Sequence, residues 1–550
     1  MKTSRDGFEV VNRMLREDEM SRRSVLRALG WSAVGLSGAL PLARPGPAWA
    51  QQPKRGGVIK LGINENIDTL DAHNTTIITA CAIHNNIYNG LLKTTYDSKT
   101  VDFKPELARE WEIQGDRVHV FRLHKDVTFH NGDPCTAAEV KWNLERVKDR
   151  QQAPIHAWKL ALLEAIDTPD PHTVKLTFRT PYPFLRVALT GSTGRAGTIL
   201  SPRAVKELGR GYGRKPVGTG PFKLVEWKEG DYIRVERNPN YWETDQWGGK
   251  LPYLDGVLFK FIIEPSTLVA ALETGEVDGV NAVVPQFMAR LRSNPRLETY
   301  TVVGGNWRTM HLNTAKEPFG DPNLRKAVAF GLDRKEIVEK VMFGEAIVAH
   351  GPISPPMTGF FDPQWATGKN GQYYDPEQAK AYLAKSRHAG GVEVHLISPN
   401  TGTYPRTTEI IQAQLAKLNI KVRLEILDIP AWRRKWLQEK PAQWDLVLVQ
   451  WDADLDPDET IFPELHSKEV WNAGRWENPQ FDRLVEAARE EGDPKKRKQF
   501  YDQAVNLIIE DAPVAIMFHE NEQKVFHKYV KGFQVIPANL INMHSVWLDK

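Results

Sequence analysis

The chain has 550 residues, of which 41% are hydrophobic, 26% charged and 9% aromatic. That composition excludes a disordered or fibrous protein and leaves room for about three or four domains, while two cysteines exclude a small disulfide-stapled scaffold. The formal charge of +3 comes entirely from residues 1–50, which hold 8 basic and 5 acidic side chains; the balanced remainder offers no electrostatic reason to expect nucleic acid or an anionic membrane as partner.

The first predicted element is a leader. Ser21 to Arg27 (S-R-R-S-V-L-R) precedes an apolar run from Ala28 to Leu40 and a small-residue site at Ala48-Trp49-Ala50. The order basic, apolar, small predicts a signal peptide over residues 1–50 cleaved before Gln51, and 13 apolar residues fall short of the roughly 20 that span a membrane. Arg22 and Arg23 resemble a twin-arginine export signal, with Val25 in place of the usual Phe and Arg44 near the cleavage site. An ordinary secretory signal and an uncleaved anchor are the alternatives, and Met20 is a second candidate start. The expectation is a soluble, periplasmic mature chain without a lipid-anchor cysteine.

The mature sequence alternates strand-like and helical segments, an α/β pattern. Val58–Ile63 reads as a strand, Thr79–Leu92 as a helix, and Val118–Leu123 as a strand with strict alternation. After the turn His130–Asp133, Thr136 with Glu139 three residues on forms a capping-box pattern that starts a helix through Val147. Val174–Phe178 is the next strand, and the turns Pro216–Phe222 and Arg237–Trp242 fix strand ends. Arg325–Phe343 predicts one long amphipathic helix. Val392–Ser398, the helix Thr407–Leu418, Lys421–Ile426 and Asp445–Gln450 predict a parallel unit, and Val525–Trp547 returns to strand-like alternation. Cys81 and Cys135 fit either a disulfide or two small buried positions.

Several motifs occur in a definite order: L-A-R-E-W at Leu107, F-R-L-H-K-D-V-T-F-H-N-G at Phe121, T-A-A-E-V at Thr136, G-T-G-P-F at Gly218 and R-N-P-N-Y-W at Arg237. L-N-T at Leu312, P-F-G-D at Pro318, L-D-R at Leu332, Y-D-P-E-Q-A-K at Tyr374, R-K-Q-F-Y-D-Q-A at Arg497 and E-D-A-P at Glu510 follow. In this register, over residues 56–550, the chain resembles the extracytoplasmic solute-binding proteins of dipeptide, oligopeptide and nickel ABC importers (family 5). The resemblance implies an α/β fold, a two-lobed periplasmic-binding-protein clamshell of class II, cluster C type with an extra inserted domain. It places the first lobe at residues 51–95, 206–307 and 521–550, the inserted domain at 96–205 and the second lobe at 308–520. It further implies a monomer that binds a small polar solute, a peptide or amine-bearing compound, between its lobes and delivers it to an ABC permease and ATPase, with neither cofactor nor catalysis.

Val449–Asp458 (V-Q-W-D-A-D-L-D-P-D) is the densest candidate site. In peptide-binding relatives a Trp-x-x-Asp here presents a carboxylate to the ligand's α-ammonium, which the resemblance carries to Trp451 and Asp454, with Asp452 beside them. A calcium loop fails, because counting from Asp452 puts Pro457 and Pro463 where glycine and glutamate are needed; a solvated acidic turn capping a helix stays open. The expected carboxylate-binding arginines are replaced by Leu448 and Ser398, so Arg308 and Arg406 become candidates. Trp158, Trp307 and Trp451 are candidate stacking residues, and Asn74 and Thr76, after His73, occupy a loop that reaches the cleft in relatives. No phosphate loop, zinc helix or nucleophile elbow is present. A hydrolase on the same scaffold, and a chaperone or sensor without transport, remain the alternative functions.

Overall fold

A computed structural model describes residues 52–75, 77–97, 100–153, 155–191, 195–365, 370–452 and 455–550. Its frame is a twelve-stranded mixed sheet. In one half, Val58–Ile63 lies parallel to Gly256–Phe261, which continues antiparallel through Tyr232–Arg237 to Phe222–Lys228. Ile59, Leu61, Val257 and Phe259 bury this half against Ile83, Ile87 and Tyr88. In the other half, Val392–Pro399 has parallel partners on both sides, Ile420–Leu427 and Leu446–Asp452, and the latter pairs antiparallel with Asn306–Leu312. Leu446 to Val449 are all buried, as expected of a strand covered on both faces.

One strand joins the halves. Val514–His527 runs 14 residues; its first part pairs with Asn306–Leu312 and its last part with Leu297–Val303 and Gly279–Val280. Two segments therefore cross together: this strand near Glu520, and the link between Val303 and Asn306. A Cβ on Gly304 would run into the Asn306 amide and lie 2.8 Å from the Glu520 carbonyl oxygen, so the two crossings touch closely only because Gly304 has no side chain.

A separate four-stranded antiparallel sheet is ordered Ala108–Gln114, Val118–Leu123, Thr173–Phe178, Leu163–Asp170. The helix Ala137–Lys148 packs beside it, and its capping box is formed as the sequence predicts: Thr136 accepts from the Ala138 N–H and Glu139 accepts from the Thr136 N–H at 2.9 Å. The core of this unit runs on through Trp158 and Phe184 into Phe462, Phe481 and Tyr501 of the helices Pro457–Leu465, Pro479–Glu490 and Pro494–Asp511.

Three predicted elements differ. The helix expected over 325–343 is two helices, Pro322–Gly331 and Arg334–Lys340, because Leu332 is extended and Asp333 caps the second by accepting from the Glu336 N–H. The helix expected over 79–92 ends at Ile87 and Leu92 opens a strand. Beyond His527 the tail forms only the short pair Val530–Lys531 and Trp547–Leu548; Phe533, Ile541, Met543 and Val546 fill the first core from irregular backbone. Cys81 and Cys135 are buried and form no disulfide.

Candidate functional site

The parallel strands dictate where a ligand can sit. Val58–Ile63, Gly256–Phe261, Val392–Pro399 and Leu446–Asp452 all point their carboxyl ends toward one cavity of about 680 Å³, the usual place for a site in open α/β sheets. The first half contributes Asn64, Glu65, Asn66 and Ile263, and the second contributes Asn400 to Tyr404, Trp432, Arg433, Trp436 and Gln450 to Asp452. Arg308 and Glu520 to Lys524 line it where the strands cross, and Ile155 and Arg195 approach from the third unit. A volume of this size suits a drug-sized solute.

Charge is concentrated at the crossing strands. Glu520, Glu522 and Lys524 alternate along one strand and so share a face. Lys524 pairs with Glu522 at 2.8 Å, and Arg308 pairs with Glu520 and donates to Gln450 Oε1 at 2.6 Å. Gln450 in turn donates to Asp452 at 3.1 Å. Burial, with Glu522 and Glu520 close by, pushes the Asp452 carboxyl up to about 7. Withdrawal from water opposes charge on Arg308, but Tyr404, Glu520 and Asp452 hold its pKa above the ordinary value. The guanidinium stacks 3.8 Å from the Tyr404 ring centre, and its Nε and Nη1, both buried, have no hydrogen-bond partner among the described residues.

Tryptophans form the neighbouring wall. Trp432 and Trp436 are 4.7 Å apart between ring centres, Trp436 and Trp471 5.8 Å, and Trp471 and Trp451 5.2 Å in a T-shaped contact. Trp451 is locked by donating from its indole nitrogen to the Glu459 carbonyl oxygen at 2.7 Å.

Of the residues singled out from sequence, Trp451, Asp452 and Arg308 meet at this cavity; Asp454 and Thr76 lie outside the described residues. The others stand elsewhere. Trp307 is fully buried and its indole donates to Glu464 at 2.7 Å, because successive strand residues face opposite sides and Arg308 takes the cavity side. Trp158 stacks on Phe184 and Phe462 in the core. Asn74 donates to Asp71 at 3.0 Å, within a turn held by the Asp71–Arg146 pair. Arg406 is exposed, 5.5 Å from the Phe343 ring centre. In the described part of the acidic turn, Asp456 caps the helix Pro457–Leu465, as the helix-capping alternative expects, but it is buried and pairs with Arg497 at 2.7 Å, while buried Asp458 pairs with Arg489 at 3.1 Å.

Sequence reasoning missed Glu520, Glu522, Tyr404, Trp432, Arg433, Trp436 and Trp471. Two signals were available. Glu520, Glu522 and Lys524 follow the period-2 pattern of one strand face, and I-P-A-W-R-R-K-W carries two tryptophans four residues apart, hence on one helical face.

The chain is similar to known proteins throughout this framework. The pattern of the bacterial extracellular solute-binding proteins, family 5 (middle region), matches residues 102–473. The glutathione-binding protein GsiB of Salmonella choleraesuis is 26% identical over 494 residues, covering 87% of this chain and 92% of that protein. Di/tripeptide-binding protein 2 of Pseudomonas aeruginosa is 29% identical over 535 residues, 90% of this chain and 96% of its own. Among solved structures, the periplasmic binding protein DppA of Helicobacter pylori in complex with the peptide STSA superposes with a TM-score of 0.80 at 24% identity, over 90% of this chain and 99% of that one.

Proposed function

We propose that this chain, which belongs to the bacterial extracellular solute-binding proteins of family 5, captures a short peptide or related amine-bearing solute and hands it to an ABC permease and its ATPase. The observation that carries the reading is the cavity at the strand ends, where Asp452, Glu520 and Glu522 gather beside Nε and Nη1 of Arg308, which have no partner among the described residues. Carboxylates suit a ligand ammonium and a guanidinium suits a ligand carboxylate, each through a charge-assisted hydrogen bond. The relatives named for glutathione and for di- and tripeptides support a ligand with both ends. Asp454 and Thr76 belong to the same proposed site.

Binding requires no covalent step. A ligand that touches both halves of the sheet favours the closed form by its differential contacts, and the crossings at Gly304 and Glu520 are the natural hinge. We take the lobes as 51–95, 206–307 and 521–550 against 308–520, with 96–205 inserted, which agrees with the strand crossing near Glu520. Among the described residues no helix is long and apolar enough to cross a membrane, and the Arg22–Arg23 leader supports export to the periplasm by the twin-arginine route.

The test is native mass spectrometry of the mature protein purified from its own periplasm, followed by calorimetry with di- and tripeptides. Saturable binding without product release is expected. Turnover of the bound compound overturns the transport reading, and a bound sugar or metal chelate in place of a peptide overturns the peptide reading.

A further inference from the structure

The Trp432 to Trp451 wall has features that a simple lobe core does not explain. The helix Ile429–Arg433 passes directly into a π-turn, Arg434–Gln438, a distortion frequent at functional sites. It places Trp432, Arg433 and Trp436 together on the cavity. The indole N–H groups of Trp432 and Trp436 are buried and have no acceptor among the described residues. Trp444, in the same cluster but away from the cavity, does donate its N–H, to the Lys435 carbonyl oxygen at 3.1 Å. Buried donors are normally satisfied, so two idle indole donors beside a ligand cavity mark a place where a ligand supplies the acceptor.

We propose that Trp432, Trp436, Trp471 and Trp451 form a side-chain subsite for an aromatic residue of the bound peptide, and that the two indole N–H groups receive a polar atom on that ring. The inference rests on the peptide reading above. Indole faces provide offset or edge contacts for a planar group. A cationic side chain is disfavoured because an ammonium or guanidinium only donates hydrogen bonds and offers no acceptor to the two indole N–H groups. A neutral ring bearing a hydroxyl satisfies both the faces and the donors, so a tyrosine side chain is the best fit.

The experiment is calorimetry on the mature protein with Ala-Ala-Ala, Ala-Phe-Ala, Ala-Tyr-Ala and Ala-Lys-Ala, with tryptophan fluorescence as a second readout. Ala-Tyr-Ala should bind at least about tenfold more tightly than Ala-Ala-Ala, with Ala-Phe-Ala between them. Trp436→Phe, which keeps a ring but removes the donor, should erase the advantage of tyrosine over phenylalanine. Trp471→Ala should weaken both aromatic peptides about fivefold or more beyond whatever it costs Ala-Ala-Ala, so that the aromatic preference itself is lost. Equal binding of Ala-Ala-Ala and Ala-Tyr-Ala, or tightest binding of Ala-Lys-Ala, overturns the subsite and leaves peptide capture standing. If no peptide binds, peptide capture falls and the subsite falls with it.

Discussion

Asp452 illustrates how one residue's environment becomes a measurable property. Its carboxyl is pushed up to about 7 by burial and by Glu522 and Glu520, against the help of Gln450 and Arg308. Raising a carboxyl's pKa on folding means that the native state favours the proton. The associated stability is fully present below the unfolded value near 3.8 and is lost as pH rises through about 7. Ligand-free Asp452→Asn should therefore melt higher than the parent at about pH 8, by a margin that shrinks steadily as pH falls toward about 4, as read by thermal denaturation. An ammonium-bearing peptide reverses the preference, since it favours the carboxylate; its affinity should rise between about pH 6 and pH 8 in the parent and stay flat in the variant. Parallel pH profiles for the two proteins would remove Asp452 from the site. For Asp454, replacement by alanine should cost an amine-bearing ligand at least about tenfold in affinity, about 1.4 kcal/mol, without unfolding the protein.

Among elements, the caps and crossings carry distinct roles that substitution can separate. Thr136→Ala removes half of a capping box remote from the cavity, so it should lower stability in urea by about 1 kcal/mol and leave ligand affinity unchanged. Gly304→Val acts in the opposite sense. Its side chain would wedge between the two crossing strands, so small-angle scattering should show the variant failing to compact on addition of a saturating peptide, alongside some loss of stability from the broken contact. Compaction equal to the parent's would exclude this crossing as the hinge. These elements were unequally legible in the sequence. The capping box at Thr136 is local chemistry and reads directly from spacing. The break at Leu332–Asp333 is equally local, but an apolar periodicity that continues across it conceals the cap.

At the level of the whole molecule, the inserted unit and the second lobe meet through a buried ion pair between Lys159 and Glu459, whose side chains are 2% and 6% exposed. Arg489 adds a hydrogen bond to the Trp158 carbonyl oxygen at 3.2 Å and lies 3.9 Å from the Phe462 ring centre. Glu459 also lines the cavity, so the interface and the candidate site share a residue. Removing one partner of a buried pair leaves an uncompensated charge at a cost of about 3–5 kcal/mol, whereas replacing both with apolar groups is often nearly neutral. Lys159→Met should accordingly be strongly destabilising in urea unfolding, and the double variant Lys159→Met with Glu459→Met should recover most of the loss. A double variant no better than the single one would show that the pair does not act as a unit.

The α/β order, the parallel unit built from Val392–Pro399, Ile420–Leu427 and Leu446–Asp452, and the helix starting at Thr136 were determined by sequence alone, because period, capping and turn chemistry act over a few neighbouring residues. Trp451, Asp452 and Arg308 were also legible as site candidates, from one dense motif and one interlobe position. Tertiary structure decided the rest. It separated Trp307 from its neighbour Arg308, one facing Glu464 in the core and the other the cavity. It turned Asp456 and Asp458 inward onto Arg497 and Arg489. It also brought Trp432, Trp436, Trp451 and Trp471 into one wall with Glu520 and Glu522 beyond it. A cavity between two lobes is assembled from residues hundreds of positions apart, and which face of a strand or helix looks into it is set by packing across the molecule, which no local pattern encodes.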